Sequence, residues 1–323
     1  MTGVLQKIGW RAEALAWDGY QSLFRSFGLE RASAAGAGLL KTLGPLASVH
    51  HVARVNMRIA FPHAHEREID ALLERMWDNF GRLAGEFPNT HRFDMSPNSA
   101  DITVVGSEIL DELARTGQPA VLVSGHFANW ELLGAVIMQH LPRCRVTYRH
   151  ANNPIIDRRI TAQRAAYGVR VFAPKGEQGA KEIMKALKAG ASVGLMNDQK
   201  MNDGIAAPFF GVPAMTASGP ARLALRYDAP IVPMSVRRVD GPRFTVTVHE
   251  PLARPKAQDR TEAVFETVCR INAFLEDRIR EAPAQWFWVH RRFDKAIYKP
   301  GAALPVQSAS AAGSTPSVSP GSI

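Results

Sequence analysis

His126 and Glu131 are the side chains of this 323-residue chain best placed to do chemistry together. They lie in AVLVSGHFANWELLG, residues 120–134. Residues 120–123 form a short apolar run of the kind that fills the middle of a sheet, and Ser124-Gly125 interrupts it. His126 is therefore expected to leave the end of a buried strand. Asn129 is a good N-cap for the helix that follows, which carries Glu131 in its first turn. On one continuous helix the two side chains would splay, because five residues turn the chain about 140° beyond a full turn. With His126 ahead of the helix and Glu131 inside it, imidazole and carboxylate can converge. A carboxylate beside an imidazole fixes its tautomer and raises its basicity, as a general base needs in order to take a proton from a hydroxyl. The same residues also fit a plainer arrangement, in which His126 caps a helix and Glu131 answers its dipole.

Other charged positions widen the candidate site. Arg164 lies four residues after Ile160 and eight after Ile156, close to the apolar face of its expected helix, where it either snorkels outward or serves a buried function. Asp198 follows an expected strand over 192–196 and is either a turn-forming residue or a group that organises Arg164 or a substrate. Arg149 stands after another expected strand, 145–148. Arg291 and Arg292 could meet a phosphate or lie solvated at the surface.

Residues 1–95 read as helices broken by Gly44-Pro45, Phe61-Pro62 and Phe87-Pro88, a helical region expected at a membrane interface. From Asp101 the pattern changes to short apolar strands alternating with helices, with strands expected at 102–105, 120–123, 145–148, 169–172, 192–196, 231–236 and 244–248. This alternation predicts an α/β domain over 96–299, a mixed central sheet covered by helices. Ligands of such sheets sit beyond strand ends, where His126 and Asp198 both fall. Residues 300–323 are too poor in apolar and charged side chains to fold, and a disordered tail is expected there.

Two cysteines, Cys144 and Cys269, imply no disulfide framework and suit a reducing compartment. A formal charge of +9 favours acidic partners without choosing among nucleic acid, anionic lipid, a phosphorylated glycolipid or an acidic carrier protein. No apolar run reaches the ~18 residues of a spanning helix, and no signal peptide is expected. The first 28 residues are instead amphipathic: Val4, Leu5, Ile8, Ala12, Leu15, Leu23 and Phe27 recur at helical spacing, with Trp10, Trp17 and Tyr20 among Lys7, Arg11 and Arg25. That mixture suits a membrane interface, and equally a helix packed on its own domain. His63 and His65 have no HExxH companion or third ligand at recognisable spacing, so no metal is expected. There is no GxSxG elbow and no Walker or dinucleotide fingerprint, which disfavours a serine hydrolase and a nucleotide cofactor.

Taken in order, several blocks resemble one family. HFANWE resembles the HxxxxD/E signature of glycerolipid and lipid A acyltransferases. Tyr148-Arg149, Asn153-Pro154 and Asp157 look like that family's second block, and residues 183–190 like its next helix. Asn197-Asp198-Gln199 with residues 207–211, APFFG, resemble the third block, and residues 229–233, APIVP, the fourth. QWFWVHRRF at 285–293 is similar to the terminal block of the late acyltransferases of lipid A biosynthesis, and Asn56, residues 60–62 and residues 79–82 fit the same subfamily. Each block alone is weak; their order over roughly residues 50–295 is specific. The resemblance implies transfer of an acyl chain from acyl carrier protein to a hydroxyl of a phosphorylated lipid A precursor, at the cytoplasmic face of the inner membrane. No cofactor and no nucleic acid is implied. It also implies catalytic roles for His126, Glu131, Arg164 and Asp198, and substrate contacts from Arg149, Asn153, Gln199, Arg291 and Arg292. The alternatives are acylation of another glycolipid or a lysophospholipid and, more distantly, a non-enzymatic basic membrane-binding protein.

Overall fold

The computed structural model describes residues 3–96, 99–170, 172–174 and 176–305. The expected tail lies outside the described residues from position 306 onward. Four helices come first: α1 (Val4–Ser26), α2 (Gly28–Leu43), α3 (Val49–Ala60) and α4 (Glu66–Glu86). There follow β1 (Ile102–Val105), α5 (Ser107–Thr116), β2 (Val121–Ser124), α6 (Glu131–His140), β3 (Arg145–Tyr148), α7 (Pro154–Ala166), β4 (Phe172–Pro174), α8 (Glu177–Lys188) and β5 (Val193–Met196). A hairpin of β6 (Lys200–Phe209) and β7 (Val212–Thr216) leads to α9 (Gly219–Tyr227), β8 (Ile231–Asp240), β9 (Arg243–Val248) and α10 (Arg260–Glu281).

Seven strands form one sheet in the order β1-β9-β8-β2-β5-β3-β4, parallel throughout except where β8 meets β9. The mixed α/β sheet follows from the alternating pattern, since right-handed crossovers through helices join parallel neighbours. β2 lies in the interior of this sheet and all four of its residues are buried, as an unbroken apolar strand covered on both faces requires. Its register with β5 matters most. Ser124 is opposite Met196, so His126 and Asp198, each two residues further on, leave the same sheet edge side by side.

Three details differ from expectation. The strand expected at 169–172 lies at Phe172–Pro174. The β6–β7 hairpin is new; Phe210 and Gly211 both take positive φ (49° and 72°), the conformation of a tight hairpin turn. In α1 the aromatic residues do not face outward. Trp17 and Tyr20 pack on each other, Trp17 meets Phe87, and Phe24 is buried, while Val4, Leu5, Ile8, Leu15 and Leu23 on the opposite side are exposed. The large rings bury more apolar area than the aliphatic chains, so they win the packed face. No helix among the described residues is long and apolar enough to cross a membrane.

The helical region is bound to the sheet through one continuous core that runs from Val52 and Trp77 to Val121, Val232 and Leu275. α2 and α4 meet backbone to backbone: a Cβ on Gly36 would stand 2.1 Å from the carbonyl oxygen of Gly81. That packing delivers Glu86, in the last turn of α4, into the interior, where it is wholly buried. Its carboxylate pairs with Arg238 of β8 through both terminal guanidinium nitrogens and accepts from Ser33 Oγ at 2.7 Å and Asn129 Nδ2 at 3.0 Å. Removing one member of a buried pair strands the other charge, at a cost of about 3–5 kcal/mol. Glu86→Ala is therefore expected to lower the unfolding free energy measured by urea denaturation by that amount, and a loss below about 1 kcal/mol would show that Arg238 finds another partner.

Candidate active site

His126 lies two residues past β2, and its ring is held by Asp198. The Asp198 Oδ1 accepts from His126 Nδ1 at 2.8 Å, and Oδ2 accepts both the His126 backbone N–H at 2.7 Å and the indole N–H of Trp286 at 2.8 Å. Asp198 has no exposed surface. Burial alone would raise its carboxyl pKa, but the His126 imidazole and these hydrogen bonds hold it well below the usual carboxylate range. With Nδ1 engaged as donor, Nε2 is the ring nitrogen left for a substrate. The His126 ring stands edge-on to Trp130, with centroids 5.0 Å apart, and lies near Phe287.

The partner of His126 is thus Asp198 rather than Glu131. Glu131 begins α6 and is nearly buried, but its oxygens accept from Arg164 Nε at 2.8 Å, Arg164 Nη2 at 2.6 Å and Tyr167 Oη at 2.5 Å. Burial would raise its carboxyl pKa, yet the Arg164 guanidinium and the Tyr167 hydroxyl keep it below the ordinary value. Arg164 also lies over the Tyr148 ring, 4.7 Å from its centroid. The physical reason for the exchange is distance along the two ladders: sheet register brings position 198 to 126, whereas Glu131 has entered α6 and turns toward α7. His126 and the Glu131–Arg164 ion pair line one cleft of about 740 Å³. Buried Leu133, Ile137, Val169 and Ile183 form apolar wall, and exposed Arg149 and Arg222 belong to the same lining, as do Gln199 and Lys200.

Three further expectations change. Asn129 does not cap α6 through its side chain; Trp130 takes the cap position and the Asn129 amide is spent on Glu86. Asn153 is no cleft residue. Its Oδ1 caps α7 by accepting from Ile155 N at 3.0 Å, and its Nδ2 donates to Trp10 O at 2.8 Å and Glu13 Oε2 at 2.9 Å, which ties α7 to α1. Arg292 is fully buried, neither solvated nor open to substrate. It donates to Met215 O and Thr216 Oγ1 and stacks on Phe209, because the terminal segment closes over β7. Arg291 is exposed.

A sharply bent loop joins His126 to α6. Ala128, with no exposed surface, takes φ 40°, a conformation that costs a non-glycine residue on the order of 1–3 kcal/mol. The terminal segment holds it there: Ala128 N donates to Gln285 O at 2.7 Å, and Phe287 N donates to His126 O at 3.0 Å. Gln285 in turn exchanges two hydrogen bonds with the backbone of Arg238, whose guanidinium pairs with Glu86. Sequence reasoning assigned no role to Glu86, Arg238, Gln285 or Trp286. One signal was present, since a carboxylate in the last turn of a helix opposes the helix dipole and needs a cation elsewhere.

The family model for bacterial lipid A biosynthesis acyltransferases matches residues 19–295. Among curated proteins the chain is 26% identical over 249 residues to a lipid A biosynthesis palmitoleoyltransferase of Escherichia coli (strain K12), covering 75% of this chain and 78% of that one. It is 27% identical over 242 residues to a lipid A biosynthesis lauroyltransferase of the same organism, covering 74% and 76%.

The depressed carboxyl of Asp198 sets a pH signature. Its folded pKa lies below the unfolded value of about 3.9, so its contribution to stability is complete above that value and is lost as the pH falls toward the folded pKa. Thermal melts should therefore show Asp198→Asn less stable than wild type at neutral pH, with the gap narrowing below about pH 4. A gap that widens on acidification would mean that the carboxylate is not held ionised.

Proposed function

Because the chain belongs to the bacterial lipid A biosynthesis acyltransferase family, we propose that it moves a fatty acyl chain from the thioester of an acyl carrier protein to a hydroxyl of a phosphorylated lipid A precursor. The observation that carries the mechanism is the buried Asp198 carboxylate on His126 Nδ1. In this reading Nε2 takes the acceptor's proton as its oxygen attacks the thioester carbonyl, and Asp198 stabilises the imidazolium that results. Glu131 acts through Arg164: with two guanidinium nitrogens bound to the carboxylate, Arg164 is fixed against Tyr148 as a wall of the cleft. The buried aliphatic lining suits the acyl chain. Arg149 and Arg222, exposed at the cleft and in no salt bridge among the described residues, suit a phosphorylated headgroup or the acidic surface of a carrier, with Gln199 a polar contact beside them.

Membrane contact is assigned to α1. One face carries Trp17 and Phe24 inward, and the other leaves Val4, Leu5, Ile8 and Leu15 more than half exposed, with Lys7 and Arg11 alongside. Each such side chain transferred from water into lipid contributes about 1.5–3 kcal/mol, which supports peripheral attachment to the cytoplasmic face of the inner membrane.

Purified, folded His126→Ala is expected to lose ~10²- to 10⁴-fold in turnover of labelled acyl carrier protein with a lipid A precursor, and Asp198→Asn at least ~10²-fold. Wild-type turnover in His126→Ala would overturn the mechanism. The pairing makes a second forecast: Arg164→Ala combined with Glu131→Ala should cost about 0.5–3 kcal/mol less in activation free energy than the two single changes summed, whereas Arg164→Ala with Asp198→Ala should be additive.

Separately, Ile8→Glu with Leu15→Glu should weaken binding to anionic liposomes while sparing transfer to a detergent-dispersed acceptor. Unchanged liposome binding would remove α1 as the contact.

A further inference from the structure

Asn197 sits between the end of β5 and Asp198. Its backbone N–H donates to Ser124 O at 2.9 Å, which carries the ladder with β2 one step past the end of β5. The side chain lines the cleft and is only 2% exposed. Nδ2 is buried without a hydrogen-bond partner among the described residues. Leaving a buried amide unpaired costs about 1–3 kcal/mol, and natural structures keep few such groups. Gln21 is similarly unpaired but lies on α1, away from the cleft. Among the described residues, Asn197 alone combines an unpaired buried N–H donor with a place next to the residue that holds His126.

Acyl transfer needs a donor for the carbonyl oxygen as it gains charge. Arg164 gives its Nε and Nη2 to Glu131, which turns that edge of the guanidinium onto α6. The Asn197 NH₂ group carries two donors and no partner among the described residues competes for them.

We propose that the Asn197 carboxamide N–H is the oxyanion donor of this site, an inference that rests on the acyl-transfer reading above. As the acceptor hydroxyl oxygen bonds to the thioester carbonyl carbon, its proton passes to His126 Nε2. The π pair of the C=O bond moves onto oxygen, and that oxyanion accepts the hydrogen bond from Asn197 Nδ2. When the pair returns, the C=O bond re-forms, the C–S bond breaks and the leaving thiolate takes the proton from the imidazolium. The products are an ester and a thiol. A buried donor with no competing partner gives up no hydrogen bond of its own when the charge appears, and oxyanion donors are worth ~10²- to 10³-fold in rate.

The test uses the full chain with acyl carrier protein thioester and lipid A precursor. Asn197→Ala and the near-isosteric Asn197→Leu are expected to lower kcat ~10²- to 10³-fold, with KM for both substrates within about threefold and the inflection of the pH–rate profile unmoved. Because Nδ2 has no hydrogen bond to lose, the melting temperature of Asn197→Leu should equal or exceed that of wild type. Wild-type kcat in either variant would overturn the assignment. So would a fall in kcat accompanied by a shifted inflection, which would mean that Asn197 acts by placing Asp198. Failure of the wild-type protein to transfer any acyl group in a His126-dependent manner would instead strike the acyl-transfer reading, and this inference with it.

Discussion

A charge with no access to water governs the arrangement of this molecule. The carboxylate of Asp198 has no exposed surface, and an ion so placed survives only if donors surround it. They come from two remote stretches of chain, the His126 backbone and ring on one side and the Trp286 indole on the other. Meeting that demand joins β2, β5 and the segment after α10 at one sheet edge. His290, half-buried beside it, contacts the Asp198 carbonyl through Nε2, and desolvation lowers its pKa below the ordinary histidine value despite the nearby carboxylate. Geometry suited to catalysis and the need to satisfy a buried ion are here one requirement.

Glu86 makes a second demand of the same kind. Its pairing with Arg238 and Asn129 reaches from α4 to β8 and to the loop that follows His126. The helical region therefore does more than cover the sheet, because one of its side chains anchors the bend on which the histidine is mounted.

Local pattern revealed the parts of this fold that local physics controls. The unbroken apolar run at 120–123, the breaker at Ser124-Gly125 and the alternation after Asp101 predicted a mixed α/β sheet and brought His126 and Asp198 to strand ends. Which carboxylate meets the imidazole depends on β2–β5 register, a long-range fact without a signature in either segment alone. Asn153 and Arg292 were misplaced for a related reason. Their side chains are consumed by α1 and by β7, which sequence spacing does not bring near them. The aromatic residues of α1 left two readings open, since a ring that suits a membrane interface suits a protein core equally well, and Trp17, Tyr20 and Phe24 take the core.

Position 128 carries a consequence for how such a chain can drift over generations. Its φ of 40° excludes branched side chains, and its full burial excludes the asparagine or aspartate that otherwise tolerate that region of backbone space. Alanine and glycine are left as the residues that satisfy both conditions. The stretch between His126 and Glu131 thus tolerates almost no exploration at this position, and the narrowness comes from the curvature of the main chain rather than from the chemistry proposed for its neighbours.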